Sequence, residues 1–295
     1  MDINIEGRGL LNLSRINILL GKNGSGKSVL LRFIEERKQA LQNAGAVRYV
    51  TPERGGELTY QGNIETNIAG GSTWGDDIRR SNRFDNYRQL SVTEFRRLET
   101  LVLRKIEKDE ATRADRGFTF DTILNSINNL LDNAEIIRGD NAGFEIVSKG
   151  ESARRTPATL SSGESELISL AIEILSFSYR ADTQEDKTSY LFLDEPDVHL
   201  HPDLQVRLMQ LLHRSVDRKN VVVIIATHST PILGALSSKD DASVVFIVPQ
   251  QIQVKFAPIG ESLRKVLPIF GAHPLSNVFN ENPIFLVEGE DDERI

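Results

Sequence analysis

The eight residues Gly21 to Ser28, GKNGSGKS, fit the pattern G-x-x-x-x-G-K-[ST] at every fixed position, and no other stretch constrains the chain as much. The pattern needs a strand before it and a helix after it. Ile16-Asn17-Ile18-Leu19-Leu20 reads as a short buried strand. Val29 to Leu41 sets Leu30, Leu31, Phe33, Ile34 and Leu41 among charged residues, which is helical spacing. Strand, glycine-rich loop and helix in this order predict an α/β fold.

Each residue type in the loop has a chemical reason. Gly21, Gly24 and Gly26 let backbone N–H groups turn inward at a helix N-terminus, where unpaired donors and the positive dipole end favour phosphate. Lys22, Asn23 and Ser25 complete the cradle, Lys27 reaches the β- and γ-phosphates, and the Ser28 hydroxyl holds Mg²⁺. ATP and Mg²⁺ are the expected cofactors. The bland alternative is a glycine-rich turn with no ligand, and the motifs downstream argue against it.

The chain has 295 residues and no cysteine, which excludes disulfides and thiolate metal sites and suits a cytoplasmic setting. The N-terminus lacks a basic region followed by an apolar run, and the longest aliphatic stretch is Val221 to Ala226. Neither a signal peptide nor a membrane span is expected. A net charge of -7 argues against a uniformly basic nucleic-acid binder. Arg79 to Arg116 differs, with eleven Lys/Arg against seven Asp/Glu. Arg79, Arg80, Arg83, Arg88, Arg96 and Arg97 are candidates for contact with a nucleic-acid backbone, beside the alternative of an ordinary solvated helix.

In chain order, residues 1 to 20 read as short strands turning at Glu6 to Gly9, and Ala46 to Thr51 as a strand ending in the loop Pro52 to Gly56. Residues 57 to 75 read as loop. Asp76 to about Asp132 reads as a helical insertion, with Phe95, Leu98, Val102 and Ile106 on one face and Phe120, Ile123, Leu124, Ile127 and Leu131 on another. Ile136 to Lys149 reads as a β-hairpin. Val244 to Val248 and Ile252 to Phe256 read as strands, and Ser262 to Phe270 as an amphipathic segment.

Three further stretches carry chemistry. Leu160-Ser161-Ser162-Gly163-Glu164 precedes an apolar helix expected from Glu166 to Tyr179, and taken alone it is a common helix cap. Tyr190 to Leu193 is an apolar strand running into Asp194 and Glu195, one carboxylate to hold Mg²⁺ with Ser28 and one to orient or deprotonate the attacking water. Val221 to Ala226 ends at Thr227-His228-Ser229, which makes His228 a candidate γ-phosphate sensor. His199 and His201 are two residues apart with no third ligand nearby, and packing is favoured over a metal pair.

In this order the motifs resemble an ABC-type ATPase, with LSSGE at 160 to 164 in place of the usual LSGGQ signature and DEPDVHLHP at 194 to 202 resembling its D-loop region. The resemblance implies a P-loop core with a mixed central sheet, and a dimer in which Ser161 and Gly163 contact the γ-phosphate held by the other protomer. Glu53, Arg54 or Gln61 would supply the Q-loop contact, and the choice among them stays open. Ile284 to Glu290 resembles the opening strand and glutamate of a TOPRIM nuclease domain, in which Glu288 would be a metal ligand. Residues 1 to 282 with this ending resemble the OLD family, in which an ABC-type ATPase domain is fused to a TOPRIM nuclease. Residues 283 to 295 would then be the truncated start of that domain.

The family implies DNA engagement, a possible RNA or nucleoprotein partner, a homodimer or higher oligomer, and a role in anti-phage defence. A RecF-like or chromosome-maintenance DNA repair ATPase and a non-hydrolysing ATP-gated sensor are the alternatives. A transporter domain usually stacks adenine on an aromatic residue upstream of the loop, and here Phe33 is the first aromatic.

Overall fold

The computed structural model describes residues 1–22, 24–51, 84–139, 143–150, 154–155, 160–184, 186–217, 219–248 and 251–259; for residues 84–92, 143 and 154–155 it describes the backbone alone. Asn23, Glu53, Arg54, Gln61, Arg79, Arg80, Arg83 and Glu288 lie outside these residues. So do the loop at 57–75, the Ser262–Phe270 segment and the TOPRIM-like run.

The fold is a mixed α/β one. Strands β1 (Ile3–Ile5) and β2 (Arg8–Leu11) pair antiparallel, and β3 (Ile16–Leu20) runs into the glycine-rich loop and helix α1 (Lys27–Glu36). After β4 (Ala44–Val50) come helices α2 (Phe84–Lys108), α3 (Glu110–Ala114) and α4 (Phe120–Asn128). Strands β5 (Ala134–Gly139), β6 (Gly143–Ser148) and β7 (Arg154–Arg155) form an antiparallel sheet, with β5 and β6 as the expected hairpin.

The long helix α5 (Ser162–Asp182) follows. The chain then alternates through β8 (Thr188–Asp194), α6 (Pro202–Val216), β9 (Val221–Thr227), α7 (Thr230–Leu236) and β10 (Ala242–Phe246), and reaches β11 (Gln253–Lys255) and β12 (Ala257–Pro258). Among the described residues, no helix is long and apolar enough to cross a membrane.

The central sheet has the order β12-β10-β3-β9-β8-β4, parallel except for the antiparallel edge β12. Its strands are apolar on both faces, as a sheet covered on both sides requires. Alternation assigns the faces. Leu191, Leu193, Val223 and Ile225 point into a core shared with α5 and α6, while Tyr190, Phe192, Ile224 and Ala226 point toward α1, β1 and β2. Register brings Leu20 beside Thr227, Ala226 beside Asp194, and Leu193 beside Val50. The C-terminal ends of β3, β9, β8 and β4 therefore line one edge, where open α/β sheets bind ligands.

Several expectations shift in extent. The helix after the loop ends at Glu36, five residues short of Leu41, because Arg37 turns toward Glu6 (Nε to Oε2, 2.8 Å) and its guanidinium stacks on Phe33. Leu41 still reaches the core, from an extended backbone. The helix expected from Glu166 begins at Ser162, since Ser161 caps it. The strand expected at 244–248 runs from Ala242 to Phe246, and Phe256 stays buried just beyond β11. The helices of the 76–132 segment share the main core. Phe95, Leu98 and Val102 are fully buried, and Phe95 meets Phe120 edge-on at 5.4 Å.

Candidate functional site

The loop between β3 and α1 closes tightly, with Ser25 N–H donating to the Lys22 carbonyl at 3.1 Å. Gly26, the N-cap of α1, has φ 95°, a backbone that side chains with a Cβ avoid, and no side chain caps the helix. The first N–H groups of α1 thus remain available to an anion. The hydroxyl of Ser25, a residue 7% exposed, is a buried polar atom with no hydrogen-bond partner among the described residues. These two features fit a phosphate cradle, since a phosphate oxygen would satisfy both.

Lys27 is 4% exposed. Its ammonium donates to the Gly21 carbonyl at 2.9 Å and the Lys22 carbonyl at 3.3 Å, and lies 4.0 Å from Glu195 Oε1. Ser28 Oγ donates to Asp194 Oδ1 at 2.9 Å, joining residues 166 apart in sequence. A hydroxyl and a buried carboxylate in contact beside a phosphate loop are a donor set suited to Mg²⁺, a hard cation that takes oxygen ligands. Bound there, the ion would neutralise phosphate charge.

Asp194 and Glu195 divide by environment. Asp194 ends β8 and is wholly buried; Glu195 keeps a quarter of its side chain exposed and has φ 45°, which costs a non-glycine residue about 1–2 kcal/mol. Glu195 is therefore the carboxylate that water can reach. His228, just past β9, stands with Nδ1 3.9 Å from Glu195 Oε1 and Nε2 3.7 Å from Asp197 Oδ2. Asp197 is held in turn by Thr227, whose hydroxyl donates to it at 2.5 Å. Lys27, Ser28, Asp194, Glu195 and His228 are thus one cluster.

Ser161 and Gly163 are placed differently. Ser161 is the N-cap of α5 in a capping box: its hydroxyl donates to Glu164 Oε2 at 2.9 Å and accepts from Glu164 N–H at 3.2 Å. Gly163 packs against the turn after β8, where a Cβ would lie 3.0 Å from the His199 carbonyl. These side-chain bonds of Ser161 stay within its own turn. His201 caps α6, accepting at Nδ1 from Asp203 N–H, and among the described residues no group of three His, Asp or Glu residues is arranged to hold a metal. Arg97 lies 3.5 Å from Glu94, and Arg88 falls where only the backbone is described.

Two residues of the site were not anticipated. Tyr49 of β4 donates to Asp194 Oδ2 at 2.5 Å, and Arg32 of α1 donates through Nε to the Tyr49 oxygen at 3.1 Å. Burial, with Asp194 beside it, pushes the Tyr49 phenol above the ordinary tyrosine range, and its hydrogen bond to Tyr49 raises the Arg32 guanidinium. The available signal was spacing: Arg32 is four residues beyond Ser28, hence on the same helical face.

The chain is 41% identical over 63 residues to Protein ea59 of Escherichia phage lambda, a match covering 21% of this chain and 12% of that protein, so the chain spans a small part of its length. Among solved structures, cbiO1 of Clostridium perfringens, part of the ABC transporter complex cbiONQ, matches at a TM-score of 0.42 and 14% identity over 91% of this chain and 88% of that one, a likeness too loose to build on. The AAA ATPase domain family matches residues 86–233, a span that takes in Ser161, Asp194, Glu195 and His228 and amounts to half of the sequence. The chain belongs to the AAA ATPase domain family.

Proposed function

We propose that this chain is an ABC-type module that binds and hydrolyses ATP with Mg²⁺. The observation carrying the reading is the Ser28–Asp194 contact, made beside Lys27 and an uncapped helix N-terminus. Lys27 and the α1 N–H groups hold phosphate, Ser28 and Asp194 hold the cation, and Glu195, oriented with His228, prepares water. In the dimer, Ser161 and Gly163 of each protomer complete the nucleotide site of the other, so that bound ATP is the switch.

The finer reading is an OLD-family one, in which nucleotide state governs DNA engagement and a TOPRIM nuclease in anti-phage defence. It is supported by the motif order, the Ile284–Glu290 run and the arginine-rich 79–97 segment. Binding of a fluorescent ATP analogue tests the core. Lys27→Ala is expected to lower affinity at least about 100-fold, the loss of a charge-assisted contact that is buried. Unchanged affinity with a normal melting curve would remove the phosphate-loop assignment.

A further inference from the structure

We infer that Tyr49, steadied by Arg32, is a positioning residue that fixes which oxygen of Asp194 faces the phosphate loop and thereby sets the Mg²⁺ affinity of the nucleotide site. The inference rests on the nucleotide reading given above.

The two oxygens of Asp194 go to different partners. Oδ1 accepts from Ser28 and Oδ2 accepts from Tyr49. The carboxylate is therefore gripped from α1 on one side and from the neighbouring strand β4 on the other. Arg32 points its Nε–H at the Tyr49 oxygen, and its guanidinium carbon lies 5.8 Å from the ring centroid. A guanidinium only donates, so the phenol oxygen accepts from Arg32 and its own proton is directed to Asp194. Helix α1 thus reaches Asp194 twice, directly through Ser28 and indirectly through Arg32 and Tyr49.

A core role explains the ring of Tyr49 but not its hydroxyl, since phenylalanine would fill the same space. The hydroxyl's effect is to commit one carboxylate oxygen and leave the other facing Ser28. Outer partners of this kind orient metal ligands in many sites, and losing one costs about 10–100-fold in metal affinity.

The test measures binding of a labelled ATP analogue to the full chain across a Mg²⁺ titration and in EDTA, for wild type and Tyr49→Phe. The Mg²⁺ concentration giving half-saturation is expected to rise about tenfold, with affinity in EDTA unchanged. A shift below about twofold, or an equal loss with and without Mg²⁺, overturns the inference and returns Tyr49 to packing. Arg32→Met keeps the tyrosine but frees it to turn away; it is expected to shift the titration in the same direction, and serves alone should Tyr49→Phe fail to fold. A wild-type chain that binds no nucleotide overturns the nucleotide reading and the inference together, and one that binds it without regard to Mg²⁺ overturns the inference. Mg²⁺-dependent wild-type binding that neither variant moves overturns the inference alone.

Discussion

Asp194 and Glu195 are adjacent in sequence, yet one is sealed in the sheet and the other reaches solvent beside His228. Glu195→Gln keeps the shape and removes the proposed base, so phosphate release is expected to fall about 10²–10⁴-fold while ATP affinity holds. Turnover at the wild-type rate would move the base elsewhere. Tyr179 offers a separate check at alkaline pH. Its ring lies 5.4 Å from the Lys105 ammonium and 5.6 Å from that of Lys219, and burial, with the charge of Asp182, pushes its phenol up to about 12. The unfolded chain ionises this group near pH 10. Stability from Tyr179 is therefore full below pH 10 and lost as pH rises toward 12. Tyr179→Phe should flatten that part of the stability profile, and an identical slope would place the titrating group elsewhere. That Lys27, Ser28, Asp194, Glu195 and His228 gather at one edge of the sheet was legible, because the strand-ending motifs that carry them have set residue types and spacing. Tyr49 was not, because a tyrosine in an apolar strand reads as packing until its partner, 145 residues away, is located.

Among elements, the least legible join is between β4, α2 and α5. Arg48 of β4 donates to Glu173 of α5 at 2.8 Å and to Glu94 of α2 at 3.2 Å, and Ser176 donates to Glu94 at 2.7 Å. All four residues are buried. Arg48→Met would remove the buried cation that Glu173 and Glu94 share, leaving Glu94 its contact with Arg97, and is expected to lower unfolding free energy by about 3–5 kcal/mol in a denaturant titration. A change below about 1 kcal/mol would mean that water or movement of α2 compensates. From sequence, the charged face of α2 suggested a solvated insertion, and its apolar stripe gave no address. The structure supplies that address: α2 and α4 lie over the same face of the sheet as α5 and close its core. Helix and strand identities followed from periodicity, while ends such as Glu36 depended on a long-range pull that periodicity does not register.

At the scale of the molecule, the strand order explains why distant motifs form one site. It also leaves Ser161 at a cap of its own helix, so the proposed dimer has a direct test. Glu195→Gln protein is expected to double its mass in solution only with ATP and Mg²⁺; a dimer present without nucleotide would mean that other surfaces hold it. Sheet order was the part of the fold that sequence withheld, since parallel pairings leave no turn between neighbours. One pairing bears on how the chain is made. Ile16 of β3 sits between Val223 and Ala242, so the strand that carries the phosphate loop has no neighbours until more than two hundred further residues have been synthesised. At about 5–20 residues per second, that interval is about 10–45 s. A nascent chain therefore carries the whole GKNGSGKS sequence well before Asp194 and His228 can join it, and for that time β3 is an apolar segment without its sheet partners.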